Sequence, residues 1–551
     1  MEKQKHSHHY SDKPPYAERH VRWCERTVRE IIPHLLLDLY LWRHNIFMEQ
    51  GNSVNYASKY LPVILLLLFS IPLFFLNIHK AHSSGGDDYA QYLKEAMNIA
   101  NGKPFYQSNY VFNAYNNCYS PPQYPPGFPL LLSPVMRIWP LSITAVCYFN
   151  TVIAVCLLFS FYAFFKRRME GILALCLAVI VTYSGCMIDL KQSALSDASG
   201  LLFVMLYLIA RSTETFAWKR TALLVVFATL AILIRTQAVL LLFAEVVYLC
   251  ISIIRDWRNE KRFPIGMFST SPPLYVVVAT LLVLFFVNRV FFPTPSSAAG
   301  FYVSFLKITL QKGIVTIIRD NVNFLLTSIS AFFYFETDNS IRTAIVTLMQ
   351  NFGLVFCVLG FIISVTKRLT FDDVFFVLMC GLVLYYPIHD ARYFFPAIAI
   401  VFYYCYLALA KLLPAMYAKA NLRYVVITLT VVYLVAGFRY LVSTTKAPAG
   451  YVPAANDRQA FSYLSQHVND TDIILCARPR LITLYTNKRC MIHAWQYPME
   501  TNKKVFDSLH VKYLLLVQGF VEDYYHTYLR EYQHPLDSAC IAPGYMLYTL
   551  R

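Results

Sequence analysis

Residues 60–106 read YLPVILLLLFSIPLFFLNIHKAHSSGGDDYAQYLKEAMNIANGKPFY. The stretch runs from an apolar block into two glycines, two adjacent acids and a helical repeat. A spanning helix needs roughly 20 mostly apolar residues, and 60–78 is read as one. Asp87 and Asp88 then stand at the membrane boundary. A carboxylate there is costly unless solvated or paired, which makes the pair a candidate for function. Tyr89, Leu93, Ala96, Met97 and Ala100 recur at helical spacing. They predict a helix with one apolar face, lying along the membrane surface and holding the acids over the bilayer rim. Two readings of the acids stand at this point: a functional site, or a solvated helix N-cap, a position that suits Asp.

The rest of the chain repeats the first block. Of 551 residues 57% are hydrophobic, with a mean hydropathy of +0.45, against about 45–50% apolar in a soluble globular chain. The spacing predicts eleven spans, at 60–78, 143–165, 171–189, 197–211, 221–235, 238–254, 273–292, 343–365, 373–388, 393–413 and 424–442. The fold class expected is a polytopic α-helical membrane protein with a small C-terminal α/β domain. The net charge of +16 does not indicate nucleic acid, because the basic residues lie in short loops between apolar blocks. With a cytoplasmic N-terminus, the inner loops carry fifteen of them, from Lys166-Arg167-Arg168 to Arg423, and the short outer loops carry only Lys191, Arg235 and Arg392. That asymmetry follows the positive-inside rule.

The expected organisation is a cytoplasmic tail over 1–58, a transmembrane region over 59–445 and an extracytoplasmic domain over 446–551. The tail is polar and His/Arg-rich, and it is read as solvated in preference to an interfacial helix at Ile31–Leu41 or a metal site at His6, His8 and His9. Outer loops at 79–142 and 293–342 are long, and long ordered loops are usually functional. In the C-terminal domain, helices are expected at Asp457–Val468, Arg480–Tyr485 and Thr501–Leu509, with strands at Asp472–Ala477 and Lys512–Val517. Of the thirteen cysteines most lie inside apolar stretches, while Cys476, Cys490 and Cys540 could hold one disulfide whose pairing the sequence does not give.

The first outer loop ends in SPPQYPPGFPLLLSPV, residues 120–135. Five prolines and a glycine within ten residues predict a rigid, non-helical turn at the membrane face, flanked by aromatics such as Tyr124. An acidic pair after the first span, a Tyr-x-x-x-Ala helix, a Gly-x-Pro segment and the run Tyr124-Pro125-Pro126-Gly127 together resemble the GT-C membrane glycosyltransferases. The likeness is to bacterial relatives of dolichyl-phosphate-mannose protein mannosyltransferases and of lipid A aminoarabinose transferases. It is strong over about 82–136 and looser elsewhere. It implies a polyprenyl-phosphate sugar donor, an acceptor hydroxyl or amine on the extracytoplasmic side, and an inverting transfer at a bacterial inner membrane. It places the catalytic base on Asp87. Asp88 stands where many relatives have Glu, and its part could be to orient the acceptor, tune its neighbour or hold a metal.

The leaving phosphate needs cations near the headgroup level. Arg392 in HDARYFFPAIAI, Arg235 in ILIRTQAVLL and Lys191 before Ser196-Asp197 are the candidates, since arginine grips phosphate through paired hydrogen bonds. Each could equally be a snorkelling charge at a helix end. Asp197 resembles a second acidic position of the family and could bind acceptor, sugar or metal, or cap a helix. His389 and Asp390 could orient Arg392, and Tyr124 and Pro126 would shape the site wall. A divalent metal, Mg or Mn, would fall to Asp87, Asp88 and Asp197. The aromatics of 293–342, among them Phe301, Tyr302, Phe305, Phe332, Phe333, Tyr334 and Phe335, suit a lid over a lipid or an interfacial belt. The sequence has no P-loop, dinucleotide fingerprint or CxxC pair. The competing readings are a multi-pass transporter or lipid flippase, and a non-catalytic envelope assembly factor.

Overall fold

The computed structural model describes residues 56–76, 88–111, 124–213, 217–260, 272–292, 313–335, 340–386, 390–412, 419–444, 453, 455–494, 497–520, 522–531 and 535–550. Asp87, His389, the tail residues and the 293–312 part of the second outer loop lie outside them. The chain divides into two compact units, Met1–Leu61 and Pro62–Arg551. The site and the C-terminal domain belong to the second.

The helices run in chain order as α1 (Tyr56–Phe75), α2 (Asp88–Ala100), α3 (Gly127–Ile138), α4 (Ile143–Lys166), α5 (Gly171–Thr182), α6 (Gly185–Gln192), α7 (Asp197–Arg211), α8 (Ala217–Ile234) and α9 (Leu240–Glu260). They continue as α10 (Pro272–Val290), α11 (Ile314–Ser330), α12 (Ser340–Lys367), α13 (Phe371–Tyr385), α14 (Ile398–Leu412) and α15 (Lys419–Thr444). Seven helices among the described residues are long and apolar enough to cross a membrane. The α5–α6 pair, bent by 58°, brings this to eight if it forms one broken span. The chain is a multi-pass membrane protein. Two of the expected spans, 197–211 and 373–388, correspond to α7 and α13, which have 15 residues each, below the roughly 20 that a bilayer requires. α7 is buried along most of its length.

One end of the bundle is tied by ion pairs. Arg168 meets Asp372 at 2.5 Å and also lies over the Phe164 ring. Arg423 meets Glu170 at 2.7 Å. Arg211 and Tyr207 close on the buried Glu245 at 2.8 and 2.6 Å. Thr370 caps α13 in a reciprocal box with Asp373, whose other oxygen takes the Tyr404 hydroxyl. Three of the inner-loop basic residues, Arg168, Arg211 and Arg423, are thus held in ion pairs.

Residues 313–335 of the second outer loop pack into the bundle. They include α11, which docks through Asn321 onto the carbonyls of Leu384 and Tyr386. Phe332 stacks on Phe394 and Phe333 packs on Phe402, both in the core, and only Tyr334 stays exposed. Burial of rings of this size outweighs any interfacial role. The proline-rich turn is also shorter than expected, because helix α3 begins at Gly127. Pro126 occupies the N-cap and Pro129 the first turn, where a missing N–H costs nothing.

The C-terminal domain comprises α16 (Ala455–His467), β1 (Ile473–Cys476), α17 (Pro479–Thr486), β2 (Arg489–Met491), α18 (Met499–Ser508), β3 (Val511–Val517), α19 (Glu522–Glu531), β4 (Asp537–Ala542) and β5 (Tyr545–Thr549). Its sheet has the order β2-β1-β3-β5-β4, parallel through β3 and antiparallel beyond. Cys476, Cys490 and Cys540 are free thiols, so the disulfide considered above is not formed.

Candidate active site

α2 was expected to float on the membrane with one face wet. It is buried on nearly all sides, because the C-terminal domain sits on it. The Lys94 ammonium donates to the Asn487 side chain at 2.7 Å, and Asn109 donates to the Asn487 carbonyl at 2.5 Å. Backbone pairing between Asn109–Val111 and Cys490 continues the sheet edge into the first outer loop. Asp88, the first residue of α2, is thereby held between the bundle and the domain.

Six segments of the chain converge there. Asp88 Oδ1 accepts the Tyr124 hydroxyl at 2.8 Å and Arg480 Nη1 at 2.8 Å. Its Oδ2 faces Arg392 Nη2 at 3.9 Å. Arg392 Nη1 lies 3.9 Å from Asp197 Oδ2. Asp197 pairs at 2.7 Å with Arg235 Nη2. Arg235 Nη1 also donates to Ser196 at 3.3 Å, and Ser196 shares a hydrogen bond with the Tyr92 hydroxyl at 3.0 Å. Three carboxylates (Asp88, Asp197 and Asp390) thus face three guanidiniums, and Arg392 stands between two of the acids.

Arg392 is held from behind. Asp390 caps its own turn through the Arg392 N–H and takes Nε and Nη2 at 2.6 and 2.5 Å. One edge of the guanidinium is therefore fixed, while among the described residues Nη1 reaches an acid only at 3.9 Å. That is beyond hydrogen-bond length. Arg392 and Asp88 side chains are 21% and 28% accessible, whereas Asp197 is 1% accessible. A ligand can reach the first two. Arg235 lies flat across the first turn of α7, and Gly200 makes that possible: a Cβ there would stand 2.8 Å from Arg235 Cγ.

The structure brings Asp88, Asp197, Arg235, Arg392 and Tyr124 together, with Pro126 starting the helix behind Tyr124. It does not bring Lys191. That side chain is buried and donates to the Leu76 carbonyl at 2.9 Å, forming no ion pair among the described residues. Asp88 and Asp197 are a poor match for one divalent cation, because each already holds a guanidinium and Arg392 lies between them. Among the described residues no three His, Cys, Asp or Glu side chains converge as ligands. Arg480 is the residue that the sequence reading missed. Burial works against its charge, but Tyr124, Asp88 and Tyr110 more than offset this and hold the guanidinium above the usual arginine range.

Glu95, two turns along α2 from Asp88, is fully buried and accepts only from Gln91 at 2.8 Å. Burial pushes its carboxyl up to about 8, against the pull of Gln91 and Arg480. The folded state therefore holds a proton that the unfolded chain, with an ordinary value of 4.5, releases. Stability is full below that ordinary value and is lost as pH rises through about 8. Glu95→Gln should remove this loss. Melting of the detergent-solubilised chain at pH 5 and pH 9 tests it, and parallel curves for variant and wild type would refute it.

No protein-family model matches the sequence, and no curated protein sequence matches it. Solved structures do. The archaeal oligosaccharyltransferase AglB from Archaeoglobus fulgidus, in complex with an inhibitory peptide and a dolichol-phosphate, aligns over 84% of this chain and 70% of its own, at 13% identity and a TM-score of 0.52. ArnT from Cupriavidus metallidurans in the apo state aligns over 90% of this chain and 98% of its own, at 11% identity and a TM-score of 0.51. The chain shares the fold of these two proteins.

Proposed function

We propose that the chain is a glycosyltransferase that moves a sugar from a polyprenyl-phosphate donor to an acceptor on the extracytoplasmic face, with inversion. The observation that carries this reading is Arg392, anchored along one edge by Asp390 and open on the other, at the outer ends of the helices. A phosphate oxygen placed there would take hydrogen bonds that no described residue completes. The dolichol-phosphate bound to AglB gives the chemical class of such a ligand.

In the proposed reaction the acceptor oxygen or nitrogen attacks the anomeric carbon from the face opposite the phosphate. The C1–O bond breaks, its electron pair leaves on the phosphate oxygen, and polyprenyl phosphate departs with its charge met by Arg392. Asp87 takes the acceptor proton. Asp88, with one oxygen already committed to Tyr124 and Arg480, fixes the end of α2. Arg235 is committed to Asp197 and Ser196, so its part is to hold Asp197 in place. A metal carries no step here. The charge asymmetry of the loops supports the extracytoplasmic placement, and the family resemblance of residues 82–136 supports a bacterial inner-membrane location.

A transporter would be expected to keep open polar sites near mid-membrane. The carboxylates Glu245 and Asp373 are instead closed by Arg211 and Tyr207, and by Thr370 and Tyr404. The test uses membranes containing the full chain and a panel of polyprenyl-phosphate hexoses and pentoses. Chain-dependent release of polyprenyl phosphate is expected. If none is released and the purified chain binds no polyprenyl phosphate, the reading fails.

A further inference from the structure

Arg480 lies in the C-terminal domain, 392 positions from Asp88, yet its side chain is 6% accessible and meets Asp88 at 2.8 Å. The helix it belongs to does not need it there. Pro479 opens α17, so Arg480 stands in the first turn, the end where the helix dipole disfavours a cation. A buried guanidinium is also costly unless well paired. Groups of the site pair with it: Asp88, the Tyr124 hydroxyl at 3.2 Å, and the rings of Tyr110 and Tyr124 at 5.9 and 5.3 Å.

Asp88 sits between two arginines, close to Arg480 and distant from Arg392 at 3.9 Å. A carboxylate and a guanidinium at that separation would close to a direct hydrogen bond if nothing held the carboxylate back. Closure would occupy the accessible part of Arg392. The geometry points to Arg480 as a positioning residue that holds Asp88 away from Arg392 and so keeps Arg392 open for the donor phosphate. Docking of the C-terminal domain, through Asn487 and the Cys490 edge, is then a condition for phosphate binding. This rests on the reading of Arg392 as the phosphate site.

The experiment measures binding of polyprenyl phosphate to the purified full chain. Arg480→Gln should weaken it roughly 10- to 100-fold, the worth of one charge-assisted hydrogen bond. Arg480→Lys, which keeps the charge, should recover most of the affinity. The decisive variant is Arg480→Gln with Asp88→Asn. An uncharged amide holds Arg392 far more weakly than a carboxylate does, so the second change should restore binding, whereas damage to the domain interface would not be repaired by it. Should Arg480→Gln fail to fold, Arg480→Lys and the double variant still carry the comparison. Equal binding by wild type and Arg480→Gln overturns the inference, as does a double variant no better than Arg480→Gln. A wild-type chain that binds no polyprenyl phosphate instead overturns the functional reading beneath it.

Discussion

Asparagine in place of Asp87 is expected to lower sugar transfer by about 10²–10⁴-fold, the usual worth of a positioned general base, with polyprenyl phosphate binding retained. The expectation has a built-in comparison, because the next residue is also an aspartate. Asp88 Oδ1 already accepts the Tyr124 hydroxyl and Arg480, so one of its two oxygens is spent on holding structure. Asp88→Asn should therefore cost less, roughly tenfold in transfer, the scale of one lost charged hydrogen bond. It should also bind polyprenyl phosphate at least as well as wild type, since the carboxylate that faces Arg392 is gone. Initial rates in membranes at matched expression decide between the two acids. If Asp87→Asn stays within a factor of two of wild type, Asp87 is not the base. If Asp88→Asn is the more damaged by far, the role passes to Asp88.

The parts of this site that were legible in the sequence are those set by short-range chemistry. An acid directly after a span, an arginine at the outer end of one, and a proline-rich run beside them can each be read locally. Asp197 and Arg235 were read in the same way, and the 2.7 Å pair between them is what two opposite charges at neighbouring helix ends produce. Burial is not legible in this way. The spacing of Tyr89, Leu93 and Ala96 predicted one covered face of α2, but Gln91, Lys94 and Glu95 are buried too. Lys94 meets Asn487 of a domain nearly 400 residues downstream, and helical periodicity carries no information about that. Arg480 was invisible for the same reason. The signal that could have raised it is Arg478-Pro479-Arg480: a cation just inside a proline-opened helix, at the end where helices favour acids.

In the second outer loop the length and aromatics suited a lid or an interfacial belt, while in its described part Ile317, Asn321, Phe324 and Ser328 show the spacing by which α11 packs on α13. In the C-terminal domain three of the four helices and the strands β1 and β3 were placed within a few residues, whereas α19 and the short edge strand β2 were not read. The closing hairpin was missed, although Pro543-Gly544 marks its turn and Gly544 takes the positive φ of 82° that such a turn favours.

Arg392 is where the second large effect is expected. Arg392→Ala should reduce transfer by about 10²–10³-fold, the range seen when one preorganised donor to a developing charge is lost. The structure also specifies how lysine should behave. Asp390 takes Nε and Nη2 together with the backbone N–H of Arg392, a grip that only a planar fork satisfies while leaving a further nitrogen for a ligand. A lysine has a single nitrogen and would spend it on Asp390. Arg392→Lys should therefore lie much nearer to Arg392→Ala than to wild type, with the loss shared between donor affinity and rate. Arg235→Gln should differ in kind. It strips the partner from Asp197, which is 1% accessible, and a buried carboxylate left unpaired destabilises the fold. A lower melting temperature should accompany its loss of transfer. Rates, donor affinity and melting temperature measured on the three variants distinguish the two arginines. If Arg392→Lys kept wild-type transfer, the cation would act as a simple point charge, and the forked phosphate contact would have to be abandoned.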